Sequence, residues 1–176
     1  GLEQLLFQLL ADTRTEPVMI SDLFKHFTDK EAIEPRDSTW AVTKKDLQQN
    51  TPFDRWRGAS NVIQKYQWEL TGLAIAACNR KPVSEAARED LAAALHSDQY
   101  WWASAKPWWS LEMIERGAHE LKTAASSAPG ATAAEKQRAQ KLYESIVFIG
   151  FEWQRSGLVD TMSRAEDEEV RDFLAE

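Results

Sequence analysis

Apolar residues recur every three to four positions along most of this chain, and no stretch sustains the two-residue alternation of a half-buried strand. The clearest case is residues 60–79. Its apolar positions at helical spacing include Val62, Ile63, Tyr66, Leu70, Leu73 and Ala74. No Asn-Gly pair marks a tight hairpin turn. The pattern therefore predicts an all-α fold, a helical bundle of five to seven helices that are largely antiparallel.

Prolines, glycines and small polar residues divide the chain into helical segments. We expect helices at residues 2–11, 22–27, 44–48, 60–79, 84–105, from 107 through 121, 133–155 and 161–175. Pro107 suits the first turn of its helix, and Gly157 suits the end of the helix before it. The predicted organisation is one domain with short N-terminal helices and a loop in 1–50, a core bundle in 51–157 and an acidic C-terminal helix or tail in 158–176.

The chain starts at Gly1 rather than at a methionine, and helical sequence follows at once. We expect it to be a domain of a longer protein, with a processed natural N-terminus as the alternative. No basic stretch followed by an apolar one marks a signal peptide, and no apolar run approaches the roughly 18 residues of a membrane span. We expect a cytoplasmic location and no membrane partner.

The charge balance narrows the classes of partner. With 21 basic and 28 acidic residues the net charge is −7, which argues against binding nucleic acid or an anionic membrane. The single cysteine, Cys78, excludes an intramolecular disulfide and a thiolate metal cluster. Cys78 lies in an apolar stretch, so we expect a buried, unreactive thiol.

Motifs for catalysis and cofactor binding are missing. The sequence has no glycine-rich phosphate loop, no His-Glu-x-x-His and no Gly-x-Ser-x-Gly. The histidines are His26, His96 and His119, and their spacings match no metal-ligand pattern. We therefore predict no cofactor, no metal site and no catalytic residue in this chain.

Tryptophan is the unusual component, with eight in 176 residues and four of them between positions 101 and 109. Two segments, residues 52–69 and 96–110, mix tryptophan with amide, carboxylate, guanidinium or imidazole groups. Indole rings stack on the apolar faces of sugars, and planar polar groups form hydrogen bonds with sugar hydroxyls. The predicted substrate-binding residues are Arg55, Trp56, Asn61, Trp68, His96, Asp98, Trp101 and Trp102.

Each of these residues also has a structural interpretation. Successive residues on a helix point about 100° apart, so Trp101 and Trp102 cannot share a face, and at least one of them is expected in the core. His96 is predicted near the middle of a helix, where Tyr100, four residues on, is a better neighbour than Asp98. A His96–Asp98 catalytic pair is therefore disfavoured.

The two tryptophan-rich segments are expected to lie side by side. A short turn joins the helix that starts near Ser60 to the one that ends near Ala105, and helices linked in this way normally pack antiparallel. This arrangement brings the start of the first helix close to the end of the second. Arg55 and Asp98 would then either form an ion pair or each bind sugar hydroxyls.

These segments resemble parts of glycoside hydrolase family 57 proteins. In that family a catalytic barrel of strands and helices is followed by a helical region. The stretches of this chain that are similar to that region are 37–40, 52–56 with Asn61 and 67–69, and 96–104. The resemblance covers residues 35 to 120, and the chain from about Thr132 has no counterpart.

The resemblance implies retaining cleavage of α-glucan-type substrates, with a Glu nucleophile and an Asp acid that both lie on the barrel. This chain has no strands for a barrel, so those catalytic residues do not transfer. What carries over is a supporting role in a glycoside hydrolase or glucanotransferase: packing on the catalytic barrel of the same parent chain and contributing carbohydrate contacts.

Two other readings remain open. The second is a protein-interaction bundle with a tryptophan-rich interface and no carbohydrate role, and the third is a free-standing enzyme. Exposure of the tryptophan rings separates the first two readings. A sugar site shows rings beside polar groups in a concavity, whereas an interface shows a flatter apolar patch.

Overall fold

The structure, a computed structural model, describes residues 1–27, 29, 31–106 and 108–175, with side chains described through residue 166. All regular secondary structure in these residues is helical, so the predicted all-α class is confirmed. Six of the described helices have ten or more residues, which agrees with the predicted number. Of the shorter ones, those at Leu23–His26 and Lys44–Gln48 lie where short helices were predicted, whereas the one at Asp54–Arg57 was not predicted. The chain divides into two compact units, residues 1–38 and residues 39–176.

The first unit is small, and none of its described residues is buried. It contains α1 (Leu2–Ala11), a 3-10 turn (Ile20–Asp22) and α2 (Leu23–His26), and α1 lies where the sequence predicts it. None of its helices contains a buried residue. The leucines of α1 are therefore exposed, although they recur at helical spacing as in a helix that packs on another element.

The second unit is the bundle. Its helices in chain order are α3 (Lys44–Gln48), α4 (Asp54–Arg57), α5 (Val62–Cys78), α6 (Glu85–Ala94), α7 (Asp98–Trp102), α8 (Leu111–Ser127), α9 (Ala133–Arg155) and α10 (Leu158–Ala175). The predicted bounds of α3, α5 and α9 are correct to within two residues, because a side-chain cap fixes the start of each. Cys78 is buried, as predicted, and burial raises the pKa of its thiol.

The core lies between α5, α8 and α9, with α6 packed on α8. Apolar side chains from all four helices fill it, among them Ile63, Leu70, Leu91, Leu121 and Leu142. Side-chain pairs give the directions of neighbouring helices. Arg80 after α5 pairs with Glu135 at the start of α9, and Glu69 within α5 pairs with Arg138 further along α9, so α5 and α9 run antiparallel.

The prediction of one helix over residues 84–105 is wrong. The chain leaves the helix at Leu95, and α7 starts at Asp98. Gln99 explains the break, because its side-chain amide donates to the carbonyls of Ala94 and His96 at the end of α6. In a continuous helix these two carbonyls would accept from backbone N–H groups one turn later. Here the side-chain amide of Gln99 takes the place of those donors.

Two helix ends also bear on the predictions. The helix predicted to begin at Pro107 begins instead at Leu111, where the Ser110 hydroxyl accepts from the Met113 N–H, so the predicted start is wrong. Pro107 itself lies outside the described residues. Gly157 follows the last residues of α9 with a φ of +76°, the left-handed conformation that favours glycine after a helix. That part of the prediction is confirmed.

Candidate functional site

Five tryptophan rings form a continuous cluster, which we call the tryptophan surface. Its members are Trp40, Trp56, Trp101, Trp102 and Trp108. Ring centroids are 5.9 Å apart for Trp40–Trp56, 5.6 Å for Trp40–Trp101, 5.3 Å for Trp101–Trp102 and 6.4 Å for Trp102–Trp108. Three of the four pairs are edge-to-face, a favourable geometry for aromatic rings. The two tryptophan-rich segments therefore do lie side by side, as predicted.

Exposure differs sharply within the tryptophan surface. Trp40 is 77% exposed and Trp108 is 55% exposed, whereas the other three rings are half-buried. The indole N–H of Trp101 is buried and has no hydrogen-bond partner among the described residues. The half-buried rings thus support the exposed rings from beneath, and Trp40 and Trp108 are the members most available to a ligand or partner.

A ladder of amides fixes α7 on α5. Asn61, Gln64 and Gln67 are spaced three residues apart, so they lie on one face of the helix start. Their side chains donate to the backbone carbonyls of Ala103, Tyr100 and Gln99 over 2.8, 2.9 and 3.0 Å, respectively. All three side chains are buried. The Asn61 amide, predicted to contact substrate, is therefore engaged inside the bundle.

Trp68 lies beside this ladder. Its ring stacks on the ring of Tyr100 with centroids 4.5 Å apart, and its N–H donates to the Trp56 carbonyl over 2.8 Å. Burial raises the pKa of Tyr100, although its hydrogen bond with the Thr71 hydroxyl opposes the shift. Trp68 thus links α4, α5 and α7, and part of its ring remains exposed.

Arg55 is buried and lies between two carboxylates. Its guanidinium donates to Asp46 of α3 over 2.6 Å and to Glu166 of α10. Burial raises the pKa of Asp46, but hydrogen bonds from Thr43 and Arg55 outweigh that effect and leave the pKa below its usual value. The alternative in which Arg55 pairs with Asp98 is wrong, since α3 and α10 supply both partners.

His96 and Asp98 lie on the outer side of this region. His96 is in the link between α6 and α7 rather than within a helix, and its Nε2 lies 3.3 Å from the Glu120 carboxylate. The predicted neighbour, Tyr100, instead bonds Thr71. Asp98 is exposed in the first turn of α7. Of the polar residues predicted to bind substrate, Asp98 is the most accessible.

Sequence reasoning did not place Trp40 and Trp153 at this end of the bundle. Trp40 precedes α3, and its ring contacts both halves of the tryptophan surface. Trp153 near the end of α9 stacks on Trp109 just before α8, with centroids 6.0 Å apart. The stretch around Trp40 was part of the family resemblance, so that signal was present, whereas the position of Trp153 depends on the packing of α9 against α8.

The described residues give no sign of a metal centre or a membrane span. Within them, no three His, Cys, Asp or Glu side chains are grouped as metal ligands. No helix in this part of the chain combines the length and apolar character needed to cross a membrane.

Comparisons with protein-family models, with curated proteins and with solved structures find no match to this chain. The resemblance to glycoside hydrolase family 57 therefore stays a prediction.

Proposed function

We propose that this chain is a non-catalytic helical interaction domain that packs on a partner protein domain through the tryptophan surface. The observation that carries the proposal is the exposure of Trp40 and Trp108 on a bundle whose neighbouring polar groups face inward. Tryptophan is enriched at the centres of protein interfaces, where it buries a large area with little loss of side-chain entropy.

The inward polar groups favour a protein partner over a sugar. A sugar site needs free donors and acceptors beside the rings. Here the Arg55 guanidinium is held by Asp46 and Glu166, and the Asn61 amide is held by a backbone carbonyl. Nearby, Asp54 pairs with Lys106 over 2.5 Å. What remains for a partner is mainly apolar ring surface.

The resemblance to glycoside hydrolase family 57 supplies the identity of the partner in this proposal: a catalytic barrel of the same parent chain. The first unit supports a packing role independently. Its exposed apolar side chains include Leu2, Leu5, Leu6, Phe7, Leu10, Met19, Ile20 and Ile33. These side chains are exposed in the described structure. Burial of their apolar surface against another domain would be favourable, because it removes that surface from water.

The first test is the coding sequence upstream of residue 1. A barrel-sized reading frame there supports the proposal, and its absence contradicts the family 57 partner. The encoded barrel is then produced separately and titrated with the chain by isothermal calorimetry. We expect saturable binding that weakens by about tenfold or more in Trp40→Ala and in Trp108→Ala, because exposed tryptophans at interface centres are energetic hot spots.

Phe148→Ala is the matched control, since it removes an exposed aromatic ring of α9 that is not a member of the tryptophan surface. We expect that variant to bind as the wild type does. Equal binding by Trp40→Ala, Trp108→Ala and wild type shows that the interface lies elsewhere and contradicts the proposal.

Direct carbohydrate contact is a second candidate, and one observation favours it. Asp98 and Trp101 are three residues apart in α7, so they lie on one face of the helix, and the Asp98 carboxylate is exposed. A ring with an accessible carboxylate beside it suits a saccharide. Titration of the isolated chain with maltoheptaose tests this candidate: binding that Asp98→Asn and Trp40→Ala both weaken supports it, and no heat of binding contradicts it.

A further inference from the structure

We infer that Arg55 is a positioning residue: its guanidinium ties α3 and α10 to α4 and thereby fixes Trp40 and Trp56 in the tryptophan surface. Arg55 is next to Trp56 in sequence. Of its two carboxylate partners, Asp46 lies nine residues away along the chain and Glu166 lies 111 residues away. The Arg55 side chain is 7% exposed and those of Asp46 and Glu166 are 13% and 8% exposed, so the cluster is largely removed from water.

The connection from Arg55 to Trp40 runs through α3. Asp46 accepts from Arg55, and the same carboxylate accepts from the backbone N–H of Thr43 to form a capping box at the start of α3. Trp40 lies three residues before Thr43. No residue of α3 is buried, so apolar packing contributes little to its position and the buried polar contact with Arg55 matters correspondingly more.

The connection to the C-terminal helix runs through Glu166. Among the described side chains of α10, Val159 and Glu166 are the buried ones. The Ser163 hydroxyl donates to the Ala105 carbonyl over 3.3 Å, which places α10 against the linker that follows α7. α10 therefore contacts α4 through the Arg55–Glu166 ion pair and the linker after α7 through the hydrogen bond from Ser163 to Ala105.

Charge makes this cluster different from an apolar contact. One arginine faces two carboxylates, so removal of either carboxylate leaves a pair, whereas removal of the arginine leaves two like charges in a poorly hydrated place. A lysine keeps the charge but presents a single point donor in place of the planar fork that engages two carboxylates at once. We therefore expect substitutions of Arg55 to have larger effects than removal of either carboxylate.

The test is amide hydrogen exchange of the full chain, with acrylamide quenching of tryptophan emission as a second readout. We expect Arg55→Met, which leaves two unpaired carboxylates, and to a smaller extent Arg55→Lys, to speed exchange in residues 43–57 and to increase quenching, by about tenfold or more for the exchange rates in Arg55→Met, while the amides of α8 and α9 keep wild-type rates. Glu166→Gln leaves the Arg55–Asp46 pair in place, and we expect a smaller acceleration in this variant than in Arg55→Met.

Glu135→Gln is the matched control, because it removes the carboxylate of another arginine pair, with Arg80, at the end of the bundle away from the tryptophan surface. We expect no change in quenching in that variant. Wild-type exchange of residues 43–57 in Arg55→Met overturns the inference. Equal acceleration in all helices also overturns it, since Arg55 would then support the bundle generally.

The functional consequence of the inference rests on the proposed function: a loosened tryptophan surface binds the partner barrel less tightly. The two ideas fail separately, because exchange and quenching are measured on the chain without any partner. Altered exchange without partner binding leaves Arg55 as a positioning residue and removes the proposed function. Unaltered exchange together with intact partner binding leaves the proposed function standing and shows that Arg55 is not a positioning residue.

Discussion

At the residue scale, the close approach of α7 to α8 depends on the absence of a side chain at Gly117. A Cβ atom at this position would lie 2.5 Å from the Gln99 Cβ and 2.6 Å from its Oε1. Gln99 is fully buried and its amide closes the end of α6, so it has little freedom to move away. One glycine thus permits the packing that holds the tryptophan pair of α7 in place.

We expect Gly117→Ala to lower the free energy of unfolding by about 1–3 kcal/mol, because the added methyl forces α7 away from α8. Gly72→Ala is the control: Gly72 lies within α5, and a Cβ there meets nothing within 4 Å. In that variant the free energy of unfolding is expected to rise by about 0.5–1 kcal/mol, because alanine has a higher helix propensity than glycine. Urea denaturation measures both changes, and a stabilised Gly117→Ala protein would contradict the described packing.

The members of the tryptophan surface are expected to differ in their contribution to stability. Trp101→Ala removes a half-buried ring that contacts Trp40 and Trp102, and we expect the free energy of unfolding to fall by about 3 kcal/mol. Trp40→Ala removes an exposed ring, and we expect a loss of about 1 kcal/mol from its two aromatic contacts. Thermal unfolding of the two variants tests this order, and the reverse order would show that Trp101 is not a supporting ring.

At the element scale, one carboxylate at the start of α9, that of Glu135, takes part in three interactions. Glu135 accepts from the Thr132 N–H and hydroxyl in a capping box, and it forms a two-pronged pair with Arg80 at the end of α5. The Arg80 and Thr132 hydrogen bonds lower the pKa of Glu135 from its usual 4.5 to about 2. This carboxylate therefore ties the longest helix to its antiparallel neighbour at the end opposite the tryptophan surface.

This lowered pKa predicts a contribution to acid sensitivity. Because the folded-state pKa lies below the unfolded one, the stability that Glu135 contributes is fully present above pH 4.5 and is lost as the pH falls towards 2. We expect Glu135→Gln, which keeps the capping box but not the charge, to show a shallower loss of unfolding free energy over this window. Urea unfolding at a series of pH values measures the slope.

Glu144→Gln provides the comparison, since Glu144 is an exposed carboxylate further along α9 that accepts from Gln140. We expect it to retain the wild-type slope. If both variants share one slope between pH 4.5 and 2, the Arg80–Glu135 pair contributes nothing to stability.

Local sequence predicts elements well where a cap and a long apolar period agree. α5 and α9 are such cases, with Asn61 and Thr132 as their N-caps. The break between α6 and α7 is different, because residues 84–105 have continuous helical character and no proline or glycine to interrupt them. At the break the buried amide of Gln99 donates to the carbonyls of Ala94 and His96, and the backbone carbonyl of Gln99 accepts from Gln67 of α5.

At the scale of the whole molecule, the bundle presents two unlike ends. One end carries the tryptophan surface, the amide ladder from α5 and the Arg55 cluster. The other end carries the Arg80–Glu135 pair and the loop through Gly130. Rings and buried polar contacts at one end and surface ion pairs at the other suit a domain that packs on a partner through one end.

We expect the isolated chain to show no hydrolytic activity on α-glucans. Retaining hydrolysis needs two carboxyl groups about 5 Å apart on either side of the scissile bond. Beside the tryptophan surface Asp98 is free, whereas Asp46, Asp54 and Glu166 are engaged by Arg55 or Lys106. Release of reducing sugar from soluble starch is the assay, and turnover that Asp98→Asn abolishes would establish a free-standing enzyme instead.

The sequence by itself determined the helical class, the bounds of α3, α5 and α9, the buried state of Cys78 and the approach of the two tryptophan-rich segments. These follow from local periodicity, capping residues and the short link between consecutive helices, all of which act over a few neighbouring positions. Only the tertiary structure decided the partners of the polar side chains. Arg55 meets Glu166 across 111 residues, and Asn61 meets Ala103 across 42. A buried guanidinium or amide must find a partner wherever the packing brings one, and the identity of that partner is a property of the assembled helices rather than of any local pattern.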